Sequence, residues 1–266
     1  MKSTIENFYD THKNYAEDLY REIREEIYGE YIGQTSWLTA DEYRTFFNIL
    51  KLSPNQKVLD VATGTGGPAI FIVKETSCRL MGIDINETGI QNAKNLASES
   101  GLEGKTKFIL ADASEPLPFP NEYFDAIISI DSINHFKFRD KVFSEFMRVL
   151  KKGGRLLFTD PVVITGILTN EEIMIRSSLG FFLFVPKGEN ERLLKEVGFK
   201  EIIATDVTEN IISISLKWYK AREKREADLL KFEDEARFNG IQSFLWVTHI
   251  VSSEKRLSRY MYAAIK

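Results

Sequence analysis

Cysteine is nearly absent: Cys78 stands alone in 266 residues, which excludes an internal disulfide framework and a cysteine-cluster zinc site. Histidine is scarce as well. His12, His135 and His249 are scattered along the chain, an arrangement that argues against a histidine metal cage. No apolar run approaches membrane-spanning length, and the opening MKSTIENFYDTHKNYAEDLY is too charged for a secretory leader. Positive charge is not in excess either. With 35 Lys and Arg against 39 Asp and Glu, the net charge of −4 leaves no electrostatic footprint for nucleic acid or an anionic membrane. These absences point to a cytoplasmic globular protein whose partners are neither nucleic acid nor membrane.

What is present is the material for a core. About two fifths of the residues are apolar (43%), and the length suits one large α/β domain with embellishments. Residues 1–50 read as helices rich in Tyr, Glu and Lys, broken at YIGQTSWLT, where Gly33 interrupts the pattern and Thr39 is placed to cap the next helix. This segment is expected to form an N-terminal helical lid. From Lys57 the texture changes to short apolar runs, KVLDVA, RLMGIDI, TKFILAD, FDAIISI and RLLFTDP, alternating with segments of helical spacing. Such alternation over residues 51–161 predicts right-handed crossovers and a Rossmann-like, doubly wound parallel sheet. After Pro161 the alternation stops. Residues 162–266 are expected to supply a helical cap over the ligand edge together with the final strands, KEIIATDV and RLSRYMYAAIK. Within the cap, a charged stretch from about Thr208 to Arg237 reads as one long helix with a solvated face, and an apolar stretch from Asn239 to about Val251 as a shorter helix.

The chemistry concentrates at VLDVATGTGGPA. Glycine-rich strand-to-helix turns are common for backbone reasons alone, but this one follows a strand and opens a helix. Asp84 closes the next strand about 20 residues on, where a carboxylate takes ribose hydroxyls. That spacing suits a dinucleotide and S-adenosylmethionine alike. Electrostatics separates them. A dinucleotide would bring its pyrophosphate to the helix N-terminus beside the Asp60 carboxylate, whereas a sulfonium and an ammonium are favoured there. No Lys or Arg lies between Lys57 and Lys74, so a phosphate-binding lysine is missing as well. Asp112, ending the third strand beside Ala113, adds a third acidic strand end, suited to accept the adenine amino group.

VLDVATGTG, GIDI, ADA, FDAIISIDSINHF and VLKKGGRLLFTD, in this order and spacing, resemble the successive motifs of class I S-adenosylmethionine-dependent methyltransferases, and cover Val58 to Asp160. The chain as a whole is similar to small-molecule members such as sarcosine/dimethylglycine, phosphoethanolamine and sugar O-methyltransferases. The resemblance implies a seven-stranded sheet with its last strand antiparallel, supplied by RLSRYMYAAIK. It also implies Asp60, Thr63, Gly64 and Gly66 around the methionine end of the cofactor, Asp84 and Ile85 on ribose and adenine, Asp112 and Ala113 on adenine, and Ser129 near the amino acid portion. Ala62-Thr63 replaces the Gly-Cys or Gly-Ser of many relatives. YIGQTSWL occupies the place of their histidine-containing lid segment, with Tyr31, Gln34 and Ser36 as its candidates.

Methyl transfer is an in-line displacement in which the protein supplies alignment, desolvation and, for a hydroxyl or a protonated amine, a base. His135, just past the fourth strand on the ligand edge, suits that base near neutral pH. Asp160, read as the end of the fifth strand, is placed to orient His135 or to hold the acceptor, as similar His and Asp residues do in sugar O-methyltransferases of this fold. The proline after Asp160 leaves no second metal ligand, and the Pro-Pro-aromatic motif that grips flipped bases is absent. Arg176, Phe181, Phe182, Phe184, Trp218, Arg237, Trp246 and His249 are candidates for lining an acceptor pocket. The expectation is therefore a methyltransferase moving a methyl group from S-adenosylmethionine to an O or N atom, less readily a C atom, of a small metabolite. A nicotinamide-dependent oxidoreductase on the same sheet, and a cofactor-binding regulatory protein without chemistry, stay as alternatives.

Overall fold

The computed structural model describes residues 18–266; the first part of the expected lid, with His12, lies outside the described residues. The described part of the expected lid comprises α1 (Asp18–Tyr28) and α2 (Ala40–Leu50). Thr39, in extended backbone, accepts a hydrogen bond from the Glu42 amide and starts α2, as its position before an apolar-periodic run implies.

The strands β1 (Lys57–Val61), β2 (Arg79–Asp84), β3 (Thr106–Leu110), β4 (Phe124–Ser129) and β5 (Leu150–Ile164) lie parallel. Between them come α3 (Gly67–Thr76), α4 (Glu87–Glu99) and α5 (Arg139–Val149). Beyond β5 the chain adds α6 (Asn170–Arg176), the two-residue β6 (Val185–Pro186), α7 (Glu189–Val197) and β7 (Lys200–Asp206). It then forms α8 (Thr208–Lys224), α9 (Glu226–Leu229), α10 (Glu235–Ser253) and finally β8 (Leu257–Ile265). The sheet order is β3-β2-β1-β4-β5-β8-β7, with β6 pairing off the path against β5. β8 runs antiparallel to both its neighbours. This is the Rossmann-like sheet with a reversed last strand that the motifs imply.

Successive side chains point to opposite faces of a strand, and here both faces are covered. Leu59, Val61, Ile127 and Phe158 join Phe143 and Phe146 of α5 in one buried cluster. Val58, Ile128 and Leu157 join Tyr43 and Phe46 of α2 and Ile70 of α3 in the other. Strands buried on both sides read as unbroken apolar runs, which is why five of them stand out in the sequence.

Two expectations about the second half need correction. The fifth strand does not stop at Asp160 but carries on to Ile164. Its register against β8 shifts between Asp160 and Val163, so Pro161, which has no N–H to give, falls where the ladder is already interrupted. The charged stretch is not one solvated helix either. It breaks after Lys224, and Arg222 and Glu233 meet across the break as a buried ion pair at 2.6 Å, with the Tyr20 hydroxyl donating to Glu233. Ile23, Ile27 and Tyr28 of α1 pack with Ile214 and Ala221 of α8, so lid and cap share one apolar cluster. None of the described helices is long and apolar enough to cross a membrane.

A buried cation fastens the lid to the sheet. Arg259 of β8 is fully buried; its Nε donates to Asp131 Oδ1 and its Nη1 to Glu42 Oε1 of α2, both at 2.7 Å. Asp131 also accepts from Thr159 Oγ1 of β5 at 2.7 Å and from the Trp37 amide of the lid at 3.0 Å. Arg259→Ala would leave two buried carboxylates without their cation, so we expect a loss of about 3–5 kcal/mol of unfolding free energy in urea titrations. A loss below about 1 kcal/mol, the value of a surface pair, would contradict this reading.

Candidate active site

The winding reverses between β1 and β4, which are neighbours in the sheet although two strands separate them in sequence. In open α/β sheets this is where the carboxyl ends of the strands leave a crevice. Asp60 of β1 sits in register with Gly82 of β2 and Ile128 of β4, and only 5% of it is exposed. Thr63 Oγ1 donates to its Oδ2 at 2.6 Å. Burial pushes the Asp60 carboxyl up to about 7; the Thr63 bond opposes this and the nearby Asp84 charge adds to it. Among the described residues no Lys or Arg pairs with it.

Asp84, at the end of β2, holds the glycine loop. Its Oδ2 accepts from the Gly64 amide and its Oδ1 from the Asn86 amide, each at 2.8 Å. A carboxylate has about four lone-pair directions, so capacity for further donors remains. Gly66 has φ +83, and a Cβ there would lie 2.6 Å from Ala93 Cβ of α4, so the two helices that follow the loop approach over a glycine. At Gly67 a Cβ would lie 2.5 Å from both Gly33 Cα and Ile32 O. The lid backbone rests directly on the loop. Past the neighbouring strand ends, Ile85 is 49% exposed, Ala113 is buried and Asp112 is exposed, accepting from the Ser114 amide at 2.8 Å. Ser129, fully buried, donates to the Val61 carbonyl at 3.2 Å and shares a hydrogen bond with Ser132 Oγ.

In the lid, Tyr31 stacks on Tyr28 with ring centroids 6.1 Å apart. The Ser36 carbonyl accepts from the Tyr28 hydroxyl at 2.7 Å. Gln34 is buried and turns inward, its Oε1 accepting from the Ile32 amide at 2.7 Å. The side chain of Gln34 therefore braces the loop.

His135 closes a short 3-10 turn, Ile133–His135, just after β4. Its Nδ1 lies 2.7 Å from the Phe181 carbonyl. A carbonyl only accepts, so Nδ1 carries the proton and Nε2 bears the lone pair, 3.3 Å from Asn134 Nδ2. Burial pushes the His135 pKa down; the Phe181 bond opposes this, and the Arg176 charge lowers it further. Asp160 is fully buried and committed elsewhere. Arg139 Nη1 donates to its Oδ2 at 2.5 Å, Asn190 Nδ2 to the same oxygen at 2.9 Å, and the Val162 amide to Oδ1 at 3.1 Å. The hydrogen bond that orients the imidazole comes from Phe181.

Of the cap candidates, Arg176 and Phe182 come to the rim: the His135 and Phe182 rings lie 4.9 Å apart, and Arg176 sits over Phe182. Phe184 packs under β8 with Val251 and Leu257. Trp218 joins the α1 cluster, and Trp246, beside Tyr219 and His249, is 44% exposed. Phe181 contributes its carbonyl rather than its ring, and Arg237 lies in the first turn of α10. Sequence reasoning missed Asp131, Trp37, Arg139, Asn190 and Phe244. Asp131 had a signal, an acidic residue two positions past a buried strand in SIDSINHF; the others are recruited from other segments.

The family model described as "Methyltransferase domain" matches residues 52–181. These residues resemble a methyltransferase domain. It contains the glycine loop, the three acidic strand ends, His135, Asp160 and Arg176, and leaves the lid and everything after Phe181 outside. Phosphoethanolamine N-methyltransferase 1 of Zea mays is 31% identical over 206 residues, 77% of this chain and 40% of that protein. The 27-O-demethylrifamycin SV methyltransferase of Amycolatopsis mediterranei is 27% identical over 79% of this chain and 80% of that protein. Among solved structures, Haemonchus contortus phosphoethanolamine N-methyltransferase 2 in complex with S-adenosyl-L-methionine superposes with TM-score 0.83 at 22% identity, covering 100% of this chain and 60% of that one. The chain spans about two fifths of the length of the first curated relatives it matches. The nicotinamide-dependent alternative gains no support from these likenesses.

The contact between the methyltransferase domain and the lid is testable. Gly67→Ala would drive a methyl group into the Ile32–Gly33 backbone, and overpacking of this kind costs about 1–3 kcal/mol. We expect a lower melting temperature and faster amide exchange in residues 30–37. Unchanged exchange there would contradict the close approach.

Proposed function

We propose that this protein transfers a methyl group from S-adenosylmethionine to an O or N nucleophile of a small metabolite. The observation that carries the reading is Asp60, a buried carboxylate at the switch point with no Lys or Arg paired to it among the described residues and a second carboxylate, Asp84, adding negative potential. Such a site favours a cationic nucleoside and disfavours a pyrophosphate. The methyltransferase relatives support the same choice. Cytoplasmic location, the boundaries of lid, core and cap near residues 50 and 161, and independence from nucleic acid and membrane belong to this proposal.

Asp60, with Thr63 and the Gly64–Gly66 backbone, would hold the methionine end, and Ser129 would approach it from β4. Asp84 would take the ribose hydroxyls beside Ile85, and Asp112 with Ala113 the adenine. Tyr31 and Ser36 would close the lid side, on the loop that Gln34 braces. When bound, S-adenosylmethionine supplies a methyl carbon already activated by its sulfonium. The protein's part is placement and proton transfer. His135, fixed by Phe181, would exchange the Asn134 Nδ2 hydrogen bond at Nε2 for the acceptor and take its proton there as the new bond forms. Asp160 serves as a positioning residue, fixing Arg139 and the end of β5.

The Asp60 pKa sets a pH dependence. Because it is raised to about 7 from an ordinary value of 3.8, the folded, cofactor-free protein holds this proton more tightly than the unfolded chain. This residue therefore subtracts stability as pH rises from about 4 to about 7. A bound ammonium favours the ionised form, so cofactor binding below about pH 7 should release a proton, with affinity rising towards pH 7 and levelling above it. Calorimetry in buffers of different ionisation enthalpy checks this. Asp60→Asn should weaken binding by about 10- to 100-fold and abolish the proton release. Wild-type affinity in that variant would remove Asp60 from the site.

His135→Ala should lower kcat by about 100-fold or more with cofactor affinity unchanged. The acid limb of wild-type kcat/KM should fall below pH 6.5, since the base acts unprotonated and its pKa is depressed from 6.5. An acid limb above 6.5, or unchanged turnover in the variant, would assign the proton to another group.

A further inference from the structure

Arg176, at the end of α6, is among the largest fully buried side chains, with 1% exposure. Its Nε, Nη1 and Nη2 all lack a hydrogen-bond partner among the described residues. The guanidinium lies over two rings, Phe182 at 5.1 Å and Phe244 at 4.7 Å from their centroids. Phe182 faces the His135 ring, and Phe244 stacks on Trp37 of the lid at 6.5 Å. Phe182 therefore links Arg176 to the base, and Phe244 links it to Trp37 of the lid.

The carboxylates within electrostatic reach are Asp131 and Asp160, and both are spoken for. Asp131 is held by Arg259, Thr159 and Trp37, and Asp160 by Arg139 and Asn190. The other two buried arginines of the rim, Arg139 and Arg259, each donate to a carboxylate at hydrogen-bonding distance. Arg176 alone of the three has its fork of donors open. A planar guanidinium matches a carboxylate or phosphate bidentately. A neutral carbonyl would engage part of the fork and leave the charge uncompensated.

We propose that Arg176 is the specificity-determining residue of the acceptor site, docking a compact anionic group, carboxylate or phosphate, of a metabolite whose nucleophile then faces His135. The inference rests on the methyltransferase reading, from which the neighbourhood of His135 takes its role. It narrows the substrate class to small metabolites that carry both a nucleophilic O or N and an anionic head.

The test is a titration of the full chain, with and without S-adenosylhomocysteine, using inorganic phosphate, acetate and, at matched ionic strength, chloride. Binding is followed by calorimetry and by the Arg176 Nε–H resonance, assigned from its loss in Arg176→Met. Phosphate or acetate should bind saturably and shift that resonance while chloride does not. Arg176→Met should weaken the anion by tenfold or more, Arg176→Lys should keep part of the selectivity over chloride, and both variants should bind S-adenosylhomocysteine within about twofold of wild type, which also shows that they are folded. Phosphate alone would assign a phosphate-ester acceptor, and acetate alone a carboxylate. Neither anion binding, or binding unchanged in Arg176→Met, overturns the proposal and leaves a packing role between two phenylalanines. Failure to bind S-adenosylhomocysteine overturns the methyltransferase reading instead, and the titration without it still decides Arg176.

Discussion

The rim of this sheet is held by a cation that water never reaches. Arg259 arrives on the reversed last strand and bridges Asp131, at the exit of β4, to Glu42 in the lid. Desolvating three charges is expensive, and removing one is worse than never having buried them. The consequence is positional. Asp131 takes a left-handed backbone with φ +49, which aspartate tolerates better than most residues, and the chain turns there into the short 3-10 segment that delivers His135. A second cluster of the same kind, Arg139 with Asp160 and Asn190, fastens the exit of β5. Near these two clusters lie the imidazole and the guanidinium of Arg176, whose nitrogens have no hydrogen-bond partner among the described residues.

This arrangement divides the labour by charge. On the side of β1, β2 and β3 the strand ends are acidic, and among the described residues Asp60 has no Lys or Arg paired to it. On the proposed acceptor side Asp131 and Asp160 are each paired with an arginine, and Arg176 has no hydrogen-bond partner among the described residues. A cationic donor and an anionic acceptor would be drawn to opposite ends of one crevice. Trp37, Phe182 and Phe244 would lie where the two meet, and apolar rings there would strengthen electrostatic interactions by keeping water out.

Much of this could be read in the chain before it folded. The strands announce themselves because both faces of the sheet are buried, and the glycine loop because its backbone needs positive φ at Gly64 and Gly66. The acidic strand ends stand at fixed offsets from that loop. What could not be read is what tertiary pairing decides. Arg259 and Glu42 are far apart in sequence, as are Tyr20 and Glu233, and nothing local marks either pair for burial. Asp160 looked available to His135 because both end strands at the ligand edge; Arg139, arriving from α5, takes it first. Pro161 looked like a strand end, yet the ladder is interrupted at that point for reasons seen only in the register with β8.

The central claim is that an acidic rim selects a sulfonium nucleoside over a phosphorylated one. A side-by-side thermal titration of the wild-type protein with S-adenosylmethionine and with nicotinamide adenine dinucleotide tests it most directly. At 100 times the dissociation constant a ligand adds about 2.7 kcal/mol of stability. A saturable rise in melting temperature with S-adenosylmethionine and none with the dinucleotide is the expected result; stabilisation by the dinucleotide with indifference to S-adenosylmethionine would contradict it.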